Sequence, residues 1–448
     1  MNLCRSCFLP PPHHQFRTPT PFRSLYAPCR LFSIRCNVPF PAEKTKFRRE
    51  LQAAVDVVQR ACRLCVEVKR SLLSNGDGGV VEKNDQTPVT IADFGVQALV
   101  SLELGNLFPS IPLVAEEDSS YLRTSFMKPD ENGNHGYSSL VESILKAVTN
   151  NVSCRSLSCG DVLQAIDRGG KSAHAFGSKP ATYWVLDPID GTRGFLRGTE
   201  SLYVLTHRLS FQVGLALVVE GSIVLGVMGC PNWKTDFVSD REVAPEDAES
   251  ENHHSGLGII MAAQTGCGTW MKRTSDFSLN IDTIGLHDCW MRCFVDKCVN
   301  VDEAKFCIPD SQSWDSLPLS TFFVPTTDSG NNGRTTDSGN NGRTRQVVLL
   351  PTCCGSLCKY LMVASGRASV FILRARAQTV IKVWDHAVGM ICVHEAGGKV
   401  SDWKGSQLEL AADKEARRII FPSGGVLVSN GSLHQKIVEM ISIDSSMN

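Results

Sequence analysis

The sequence has no surplus of charge of either sign and no uninterrupted apolar run long enough to suggest a membrane span. Its 448 residues include 45 Lys and Arg and 46 Asp and Glu. This balance gives no reason to expect a nucleic-acid or membrane partner, so a small anionic ligand would have to be held locally. The most apolar stretch, residues 213–229, is interrupted by Glu220, Gly221 and Ser222. It therefore predicts a buried β-hairpin that turns at those three residues.

The 18 cysteines lack the paired spacing of a structural zinc site. Cys62 and Cys65 form a single CxxC, and Leu51, Val55 and Val58 precede them at steps of four and three residues. All five side chains therefore fall on one apolar stripe of a predicted helix. We expect both thiols to be part of the core rather than a zinc or redox site.

The first 42 residues contain no acidic residue, and they carry five arginines, many prolines and several serines. Such a leader is typical of a mitochondrial or chloroplast transit peptide, whereas a secretory signal would have a single apolar core. An ordinary disordered tail is the alternative. The expected location is therefore an organellar matrix, in the mitochondrion or the chloroplast, where most thiols stay reduced.

The rest of the chain alternates helix-like and strand-like segments, which is typical of an α/β or α+β fold. Helices are predicted at 44–73 and 94–108, and strands at 111–115 and 183–187, whereas 119–160 is interpreted as an irregular surface excursion. An acidic segment at 241–254 suggests a boundary between two lobes. We therefore expect a disordered leader, an N-terminal α+β metal-binding lobe and a C-terminal α/β lobe that completes the substrate site, at residues 1–42, 43–245 and 246–448.

The segment WVLDPIDGT places two acids beside a strand end and a helix start. Asp187 ends the predicted strand, Pro188 directs the chain out of it, and Asp190 follows three residues later. Gly191 and Thr192 then open a helix whose N–H groups can hold a phosphate, while the threonine hydroxyl can orient an attacking water. A simple helix-capping role would explain Asp190 but not Asp187.

Further acids stand at positions where they can join this pair. Glu116 and Glu117 follow a predicted strand, Asp385 begins a predicted helix, and Asp85 lies in a polar loop. Each alone has a structural alternative, namely a solvated loop, a helix cap or a turn. Hydrolysis of a phosphate monoester benefits from two metal ions about 3.5–4 Å apart, and magnesium prefers oxygen ligands. Together, the acids therefore predict a magnesium-dependent phosphatase.

Four segments together resemble the inositol monophosphatase superfamily of lithium-sensitive, metal-dependent phosphatases: KNDQTPVTIAD, VAEEDS, WVLDPIDGTRGFLRG and WDHAVGMICVHEAGG. DPIDGTRGFLRG and IDRGG (166–170) are most similar to the 3′(2′),5′-bisphosphate nucleotidase branch, especially its plant organellar forms. The resemblance implies a layered αβαβα sandwich of two lobes with the site between them. It also implies hydrolysis of adenosine 3′,5′-bisphosphate to AMP and phosphate. An inositol phosphate phosphatase or a catalytically silent metabolite-binding homologue is the alternative.

The resemblance further implies a ligand set for the magnesium ions. Glu116 and Asp187 would bind one ion together with the Ile189 carbonyl. Asp187, Asp190 and Asp385 would bind a second ion. The resemblance thus predicts at least two magnesium ions at one site, and it leaves the oligomeric state open.

The remaining implied roles concern water and substrate. Asp85 and Thr192 would activate the nucleophilic water, and Asp85 would hold a third magnesium ion if one is present. The predicted partner is a small nucleotide rather than a nucleic acid or a membrane. The residues implied to contact the nucleotide are Gly191, Thr192, Ser356, Lys359, Arg374 and Asp385.

Two features depart from the family pattern. Residues 205–212 stand where family members pass almost directly from one strand to the next, so they form a bulging loop or mark a gene-model artefact that impairs folding. The histidine that some relatives place against the adenine has no counterpart in the corresponding residues 302–310. His386 and His394 are expected to be packing or surface residues, because magnesium disfavours imidazole.

Overall fold

A computed structural model describes most of the chain beyond the leader, with several gaps. The described residues are 46–75, 80–82, 88–126, 139–153, 156–170, 173–177, 179, 181–197, 211–233, 258–274, 290–327, 345–350, 352, 355–376, 380–410 and 416–447. Their α-helices are α1 (Arg48–Asn75), α2 (Ile91–Leu107), α3 (Ser120–Phe126), α4 (Ser139–Thr149), α5 (Cys159–Asp167), α6 (Thr192–Arg197), α7 (Leu357–Ala364), α8 (Trp384–Glu395) and α9 (His434–Met447). None of these described helices has the length and apolar character that a membrane crossing requires.

Seven strands form the first large sheet. After a small antiparallel pair, β1 (Val80–Glu82) and β2 (Pro88–Thr90), the sheet consists of β3 (Leu113–Ala115), β4 (Tyr183–Asp190), β5 (Gln212–Val219), β6 (Ser222–Cys230), β7 (Gly258–Gln264), β8 (Gly268–Thr274) and β9 (Met291–Arg292). Their spatial order follows the chain. The β3–β4 pair is parallel and the later pairs are antiparallel.

A second, six-stranded sheet is built from the C-terminal half. Its strands are β10 (Lys305–Cys307), β11 (Phe323–Thr327), β12 (Arg345–Leu349), β13 (Val370–Arg374), β15 (Gly398–Asp402) and β17 (Gly425–Asn430). They lie in the order β11, β12, β10, β13, β17, β15. The remaining strands, β14 (Ile381–Lys382) and β16 (Ile419–Ile420), form a separate antiparallel pair.

Alternating side chains on the strands separate the molecule into layers. Trp184 and Leu186 of β4 belong to the core formed with α1 and α2, whereas Val185 belongs to the core formed with α7 and α8. The same helix pair packs against Phe371 of the second sheet, and Ile372 faces the core that includes α9. The strand period of two therefore places helices on both faces of each sheet, which confirms the predicted αβαβα sandwich.

The predicted hairpin is confirmed at residue level. Strands β5 and β6 pair in antiparallel fashion, and the chain turns at Glu220 and Gly221, whose φ angles are 50° and 83°. Glycine adopts such positive φ values without steric cost, which explains why the turn lies there. Cys62 and Cys65 are fully buried along α1, as the helical stripe predicted.

Two local predictions are wrong. Residues 119–160 are not merely an irregular excursion, because α3, α4 and the start of α5 lie within them and Val141, Ile144 and Val148 are fully buried. Strand β4 also does not stop at Pro188. It continues to Asp190 through a shift of register, which is where a sheet tolerates proline. The division at residue 245 stays a prediction, although β7, β8 and β9 continue the first sheet beyond it.

Candidate functional site

Three carboxylates meet where β4 approaches the start of α8. Asp187 and Asp190 flank the register shift of β4, and Asp385 is the second residue of α8. One oxygen of each lies within 4.8 Å of the others. The distance is short enough for one cation to contact all three, so the structure brings together three of the predicted metal ligands.

Asp187 is the most constrained of the three acids. Its side chain is 1% exposed, and no backbone N–H and no basic side chain in the described residues donates a hydrogen bond to either carboxylate oxygen. Burial, followed by the negative charges of Asp190, Glu116 and Asp385, raises the pKa of Asp187 well above its ordinary value. A buried carboxylate without a donor is costly unless a cation compensates its charge. The chemistry of this site therefore fits a hard divalent cation such as magnesium.

Asp385 has the same electrostatic environment. Burial, and then the charges of Asp190 and Glu116, raises the pKa of Asp385 well above its usual range, while Lys382 and a side-chain hydrogen bond with Asp187 act in the opposite direction. The residue is not the N-cap of α8, because that position is occupied by Val383. The default capping role considered for Asp385 therefore does not explain its position.

Asp190 caps a helix, but it is not the helix that follows it in sequence. Its Oδ1 accepts the backbone N–H of Ser356 at 3.0 Å, and its Oδ2 accepts that of Leu357 at 2.7 Å, at the start of α7. Burial raises the pKa of Asp190 to about 6, with the Leu357 N–H and the Lys359 charge opposing the shift. Each oxygen keeps a second lone pair, so this capping leaves Asp190 able to bind a cation.

Glu116 follows β3, the parallel neighbour of β4, so its strand ends at the same edge of the sheet as Asp187. Its charge contributes to the raised pKa of Asp187, Asp190 and Asp385. Glu116 therefore lies within electrostatic reach of the cluster. The adjacent Glu117 is buried, and its backbone is held by Gln97, whose side chain accepts the Glu117 N–H at 2.8 Å and donates to its carbonyl at 2.6 Å.

Thr192 pairs with an acid that the sequence reasoning overlooked. The Thr192 Oγ1 lies 3.3 Å from Asp93 Oδ1 and 3.2 Å from the Ile189 carbonyl. Asp93 also accepts the backbone N–H of Thr90 through Oδ2, which closes a capping box at the start of α2. The spacing of Thr90 and Asp93 is that of a capping box, and both residues lie inside the segment KNDQTPVTIAD, so the sequence contained a signal for Asp93. Asp85, which was predicted to work with Thr192, lies outside the described residues.

The predicted substrate residues have different surroundings. Lys359 is 2% exposed, and its Nζ donates to the Gly355 carbonyl at 2.7 Å. Ser356 places its backbone N–H, rather than its side chain, against Asp190. Arg374 is exposed at the end of β13 and donates to the Ser316 carbonyl. The structure therefore brings Ser356 and Lys359 to the acid cluster, whereas the contacts of Arg374 are with a separate loop.

The remaining predictions concern histidines and the insertion. His386 is buried, with its Nδ1 2.9 Å from the Tyr360 hydroxyl, and burial lowers the pKa of His386 to about 3. Its role is therefore packing, as expected. His394 accepts the Val400 N–H at 3.2 Å. Of the predicted insertion, residues 205–210 lie outside the described residues. Its last two residues were assigned wrongly: Phe211 is fully buried beside Phe195 at a ring distance of 4.9 Å, and Gln212 begins β5 and pairs with Asp190.

Comparison with known proteins gives consistent matches over most of the chain. The inositol monophosphatase family model matches residues 43–444. A putative mitochondrial 3′(2′),5′-bisphosphate nucleotidase of Arabidopsis thaliana is 55% identical over 415 residues, which are 92% of this chain and 91% of that protein. The Arabidopsis thaliana 3′,5′-bisphosphate nucleotidase 2 is 32% identical over 403 residues, covering 88% and 96%. Among solved structures, a Thermotoga maritima IMPase is 18% identical, with a TM-score of 0.48 and coverage of 89% and 99%. The chain belongs to the inositol monophosphatase family.

Proposed function

We propose that the protein is a magnesium-dependent phosphatase that removes the 3′-phosphate of adenosine 3′,5′-bisphosphate, giving AMP and phosphate. The observation that carries this proposal is the buried Asp187 carboxylate, which receives no backbone N–H and no basic side chain among the described residues and lies beside Asp190 and Asp385. Such a cluster needs a cation, and a phosphate ester is a substrate that shares cations with carboxylates. The two Arabidopsis relatives are named bisphosphate nucleotidases, which supports the nucleotide branch.

The residues that would hold magnesium are Asp187, Asp190 and Asp385, with Glu116 and the Ile189 carbonyl as further ligands. When bound, magnesium supplies the positive charge that offsets the acids and polarises the phosphate. The implied ligands form two sets that share Asp187, which suits two magnesium ions. A third ion would require Asp85. Without a cation, burial and mutual repulsion raise the pKa of Asp187 and Asp385 and so favour their protonated forms, which cannot neutralise or orient a phosphate ester, so we expect metal-free protein to be inactive.

The Thr192–Asp93 pair is placed to handle the proton of the attacking water. A hydroxyl has one proton, so when Thr192 Oγ1 donates to Asp93, its lone pairs remain open to accept a proton from water. Transfer of that proton to Thr192 Oγ1, with release of the threonine proton to Asp93 Oδ1, conserves charge and leaves the water oxygen more nucleophilic. Asp93 thereby takes the role that the family resemblance implied for Asp85, and Asp85 stays a predicted participant.

Recognition of the nucleotide is assigned to groups around the start of α7. Lys359 contributes a buried positive charge beside Asp190. Gly191, Thr192 and Ser356 contribute small polar groups at the same place, and Arg374 extends the basic character to the end of β13. These groups suit an anionic ligand, and we propose that the second phosphate of the nucleotide distinguishes it from a simple sugar phosphate.

We also propose that the protein works in an organelle. The acid-free leader resembles a transit peptide, and the 55% identical relative is named as mitochondrial. Mitochondrion is therefore the first choice and chloroplast the second. Fusing residues 1–42 to a fluorescent protein tests this directly, since import into either organelle is the expected result and a cytosolic signal would contradict it.

A substrate panel tests the proposed activity. Phosphate release by the full chain is measured with magnesium on adenosine 3′,5′-bisphosphate and on inositol monophosphates, each with and without lithium. We expect preference for the nucleotide, inhibition by lithium and no activity in Asp187→Asn. Activity on inositol phosphates alone would contradict the proposal.

Absence of any activity would favour the catalytically silent alternative. A second protein that lacks residues 205–210 addresses this case, because Phe211 is buried in the core and Gln212 begins β5. Activity that appears only after this deletion would show that the insertion silences the full chain.

A further inference from the structure

Arg418 joins two parts of the chain that carry candidate metal ligands. Its Nη2 donates to the carbonyl of Glu116 at 3.3 Å, and its Nη1 donates to the carbonyl of Gly169 at 3.2 Å. The guanidinium also stacks on the indole of Trp384, at 4.7 Å from the ring centroid. Trp384 directly precedes Asp385 in α8. The Arg418 side chain thus contacts the backbone of Glu116 and the residue that directly precedes Asp385.

The backbone of Arg418 adds a second connection to the same helix. Its carbonyl accepts the N–H of Val383 at 2.9 Å, two residues before Asp385. This bond extends the ladder of β14 and β16, in which Lys382 pairs with Ile419. The start of α8 is therefore fixed to Arg418, the residue just before β16, while the guanidinium holds the residue that follows β3.

The Gly169 carbonyl strengthens this link on the Glu116 side. It accepts the N–H of Ala115 at 2.9 Å as well as the guanidinium of Arg418. The residue just before Glu116 and the Glu116 carbonyl itself are thus held by one connected set of hydrogen bonds. The guanidinium plane suits this task, because its fork of donors reaches two carbonyls while its face covers an indole.

We propose that Arg418 is a positioning residue that sets the separation between Glu116 and Asp385 and thereby the affinity of the acid cluster for divalent cations. The proposal rests on the proposed function only in taking these acids as the metal site. Outer contacts that orient metal ligands typically change metal affinity 10–100-fold when they are removed. Arg418 acts through the ligands and has no role in the chemical step.

The sign of the effect separates positioning from simple electrostatics. A positive side chain near a cation site repels the cation, so a role through charge alone predicts tighter binding when Arg418 is neutralised. Positioning predicts weaker binding. Arg418→Met removes both the charge and the fork of donors, whereas Arg418→Lys keeps the charge but loses the rigid fork, so we expect both variants to bind cations more weakly.

Arg292 provides a matched control. It donates to the carbonyls of Cys267 and Glu395 at 2.6 and 3.5 Å and stacks on Trp270 at 5.5 Å, so it makes the same kinds of contact. It belongs to β9, the edge strand of the first sheet. Arg292→Met thus reproduces the loss of a stacked, carbonyl-binding guanidinium away from the acid cluster.

The experiment measures Mn²⁺ binding to the full chain by electron paramagnetic resonance, without nucleotide, alongside thermal melting of the metal-free proteins. We expect Arg418→Met to weaken Mn²⁺ binding about tenfold or more, Arg418→Lys to weaken it as well, and Arg292→Met to leave it unchanged. Unchanged or tighter binding in Arg418→Met would overturn the proposal. If Arg418→Met does not fold, Arg418→Lys replaces it: weaker Mn²⁺ binding supports the proposal, and unchanged or tighter binding overturns it.

The controls also separate this inference from the proposed function. Wild-type protein that binds no Mn²⁺ would contradict the metal site itself. Wild-type protein that binds Mn²⁺ with the same affinity as a folded Arg418 variant would leave the metal site intact and overturn only the role of Arg418. Equal weakening by Arg292→Met would attribute the effect to general loss of stability and would also overturn it.

Discussion

At the scale of single residues, the site uses carboxylates in unlike environments. Asp190 receives two backbone N–H groups from α7, whereas Asp187 receives none from the described residues. Hydrogen bonds to a carboxylate favour its charged form, and burial without them disfavours it. Asp190 is thus held in place before any cation binds, while Asp187 depends on the cation for its compensation. A substitution at Asp187 should accordingly affect cation binding more than folding.

Thr192 tests the assignment of the proton path. Thr192→Val keeps the side-chain shape but removes the hydroxyl that lies 3.3 Å from Asp93 Oδ1. We expect kcat to fall about 10²–10⁴-fold, the usual contribution of general acid–base groups, with little change in KM. Thr192→Ser, which restores the hydroxyl, should recover most of the activity in a steady-state assay of phosphate release. Similar activity in the valine and serine variants would contradict the assignment.

At the scale of elements, helices deliver the functional groups to the strand ends. Helix α2 carries Asp93 toward Thr192 and, one turn later, Gln97 toward the backbone of Glu117. Residues four apart lie on the same helical face, so one orientation of α2 serves both contacts. The start of α7 is fixed by Asp190 in place of a side-chain cap from Ser356. The starts of α2 and α7 are therefore held by hydrogen bonds to residues of the site, and the same bonds hold those residues in place.

Gly355 tests the contact between Asp190 and α7. It has a φ of 82°, and a Cβ at this position would lie 2.3 Å from Asp190 Oδ2. Gly355→Ala should displace the helix start from Asp190, lower the free energy of unfolding by about 1–3 kcal/mol and reduce activity. Urea denaturation and phosphate release measure the two effects.

Gly221 is the matched control for that experiment. Its φ is 83°, yet a Cβ there would meet nothing within 4 Å. Gly221→Ala therefore carries the same backbone strain without the clash, and it should leave activity unchanged. Loss of activity in both variants to the same degree would contradict the idea that the contact with Asp190 matters.

At the scale of the whole molecule, unfolding should depend on pH through His434. This residue begins α9, and its two ring nitrogens lie 2.8 Å from the hydroxyls of Ser401 and Ser429 on the second sheet. Burial, and then the charges of Lys399 and His394, lowers the pKa of His434 from 6.5 to about 4. At a pH between about 4 and 6.5, His434 is protonated in the unfolded chain but neutral in the folded chain. Lowering the pH through this range therefore destabilises the fold.

The expected size of that effect can be measured. Between pH 7.5 and pH 5, His434 should account for about 2 kcal/mol of lost unfolding free energy, at about 1.4 kcal/mol per pH unit below the unfolded pKa. In urea unfolding at both pH values, the free energy of unfolding of His434→Gln should fall between pH 7.5 and pH 5 by that amount less than the free energy of the wild type. An identical pH difference in the variant and the wild type would contradict the burial of a neutral histidine here.

The hairpin and the pairing of Asp187 with Asp190 could be predicted because their signals are local, whereas the layered sandwich and the full ligand set were expected from the resemblance to a known family. A turn signal at residues 220–222 between two apolar runs indicated the hairpin, and the close spacing of Asp187 and Asp190 indicated the site. The buried helix around Val141 was missed because polar neighbours obscured its apolar spacing. Other contacts have no sequence signal, since Asp190 caps a helix 167 residues away and Arg418 reaches a carbonyl 302 residues away.

The central claim is that acids far apart in the chain hold divalent cations at one place. Anomalous diffraction from crystals grown with Mn²⁺ tests this most directly, because it locates the ion without reference to activity. We expect a peak about 2.0–2.2 Å from carboxylate oxygens of both Asp187 and Asp385. Mn²⁺ peaks that lie only elsewhere on the protein, with these two carboxylates contacting no ion, would contradict the account.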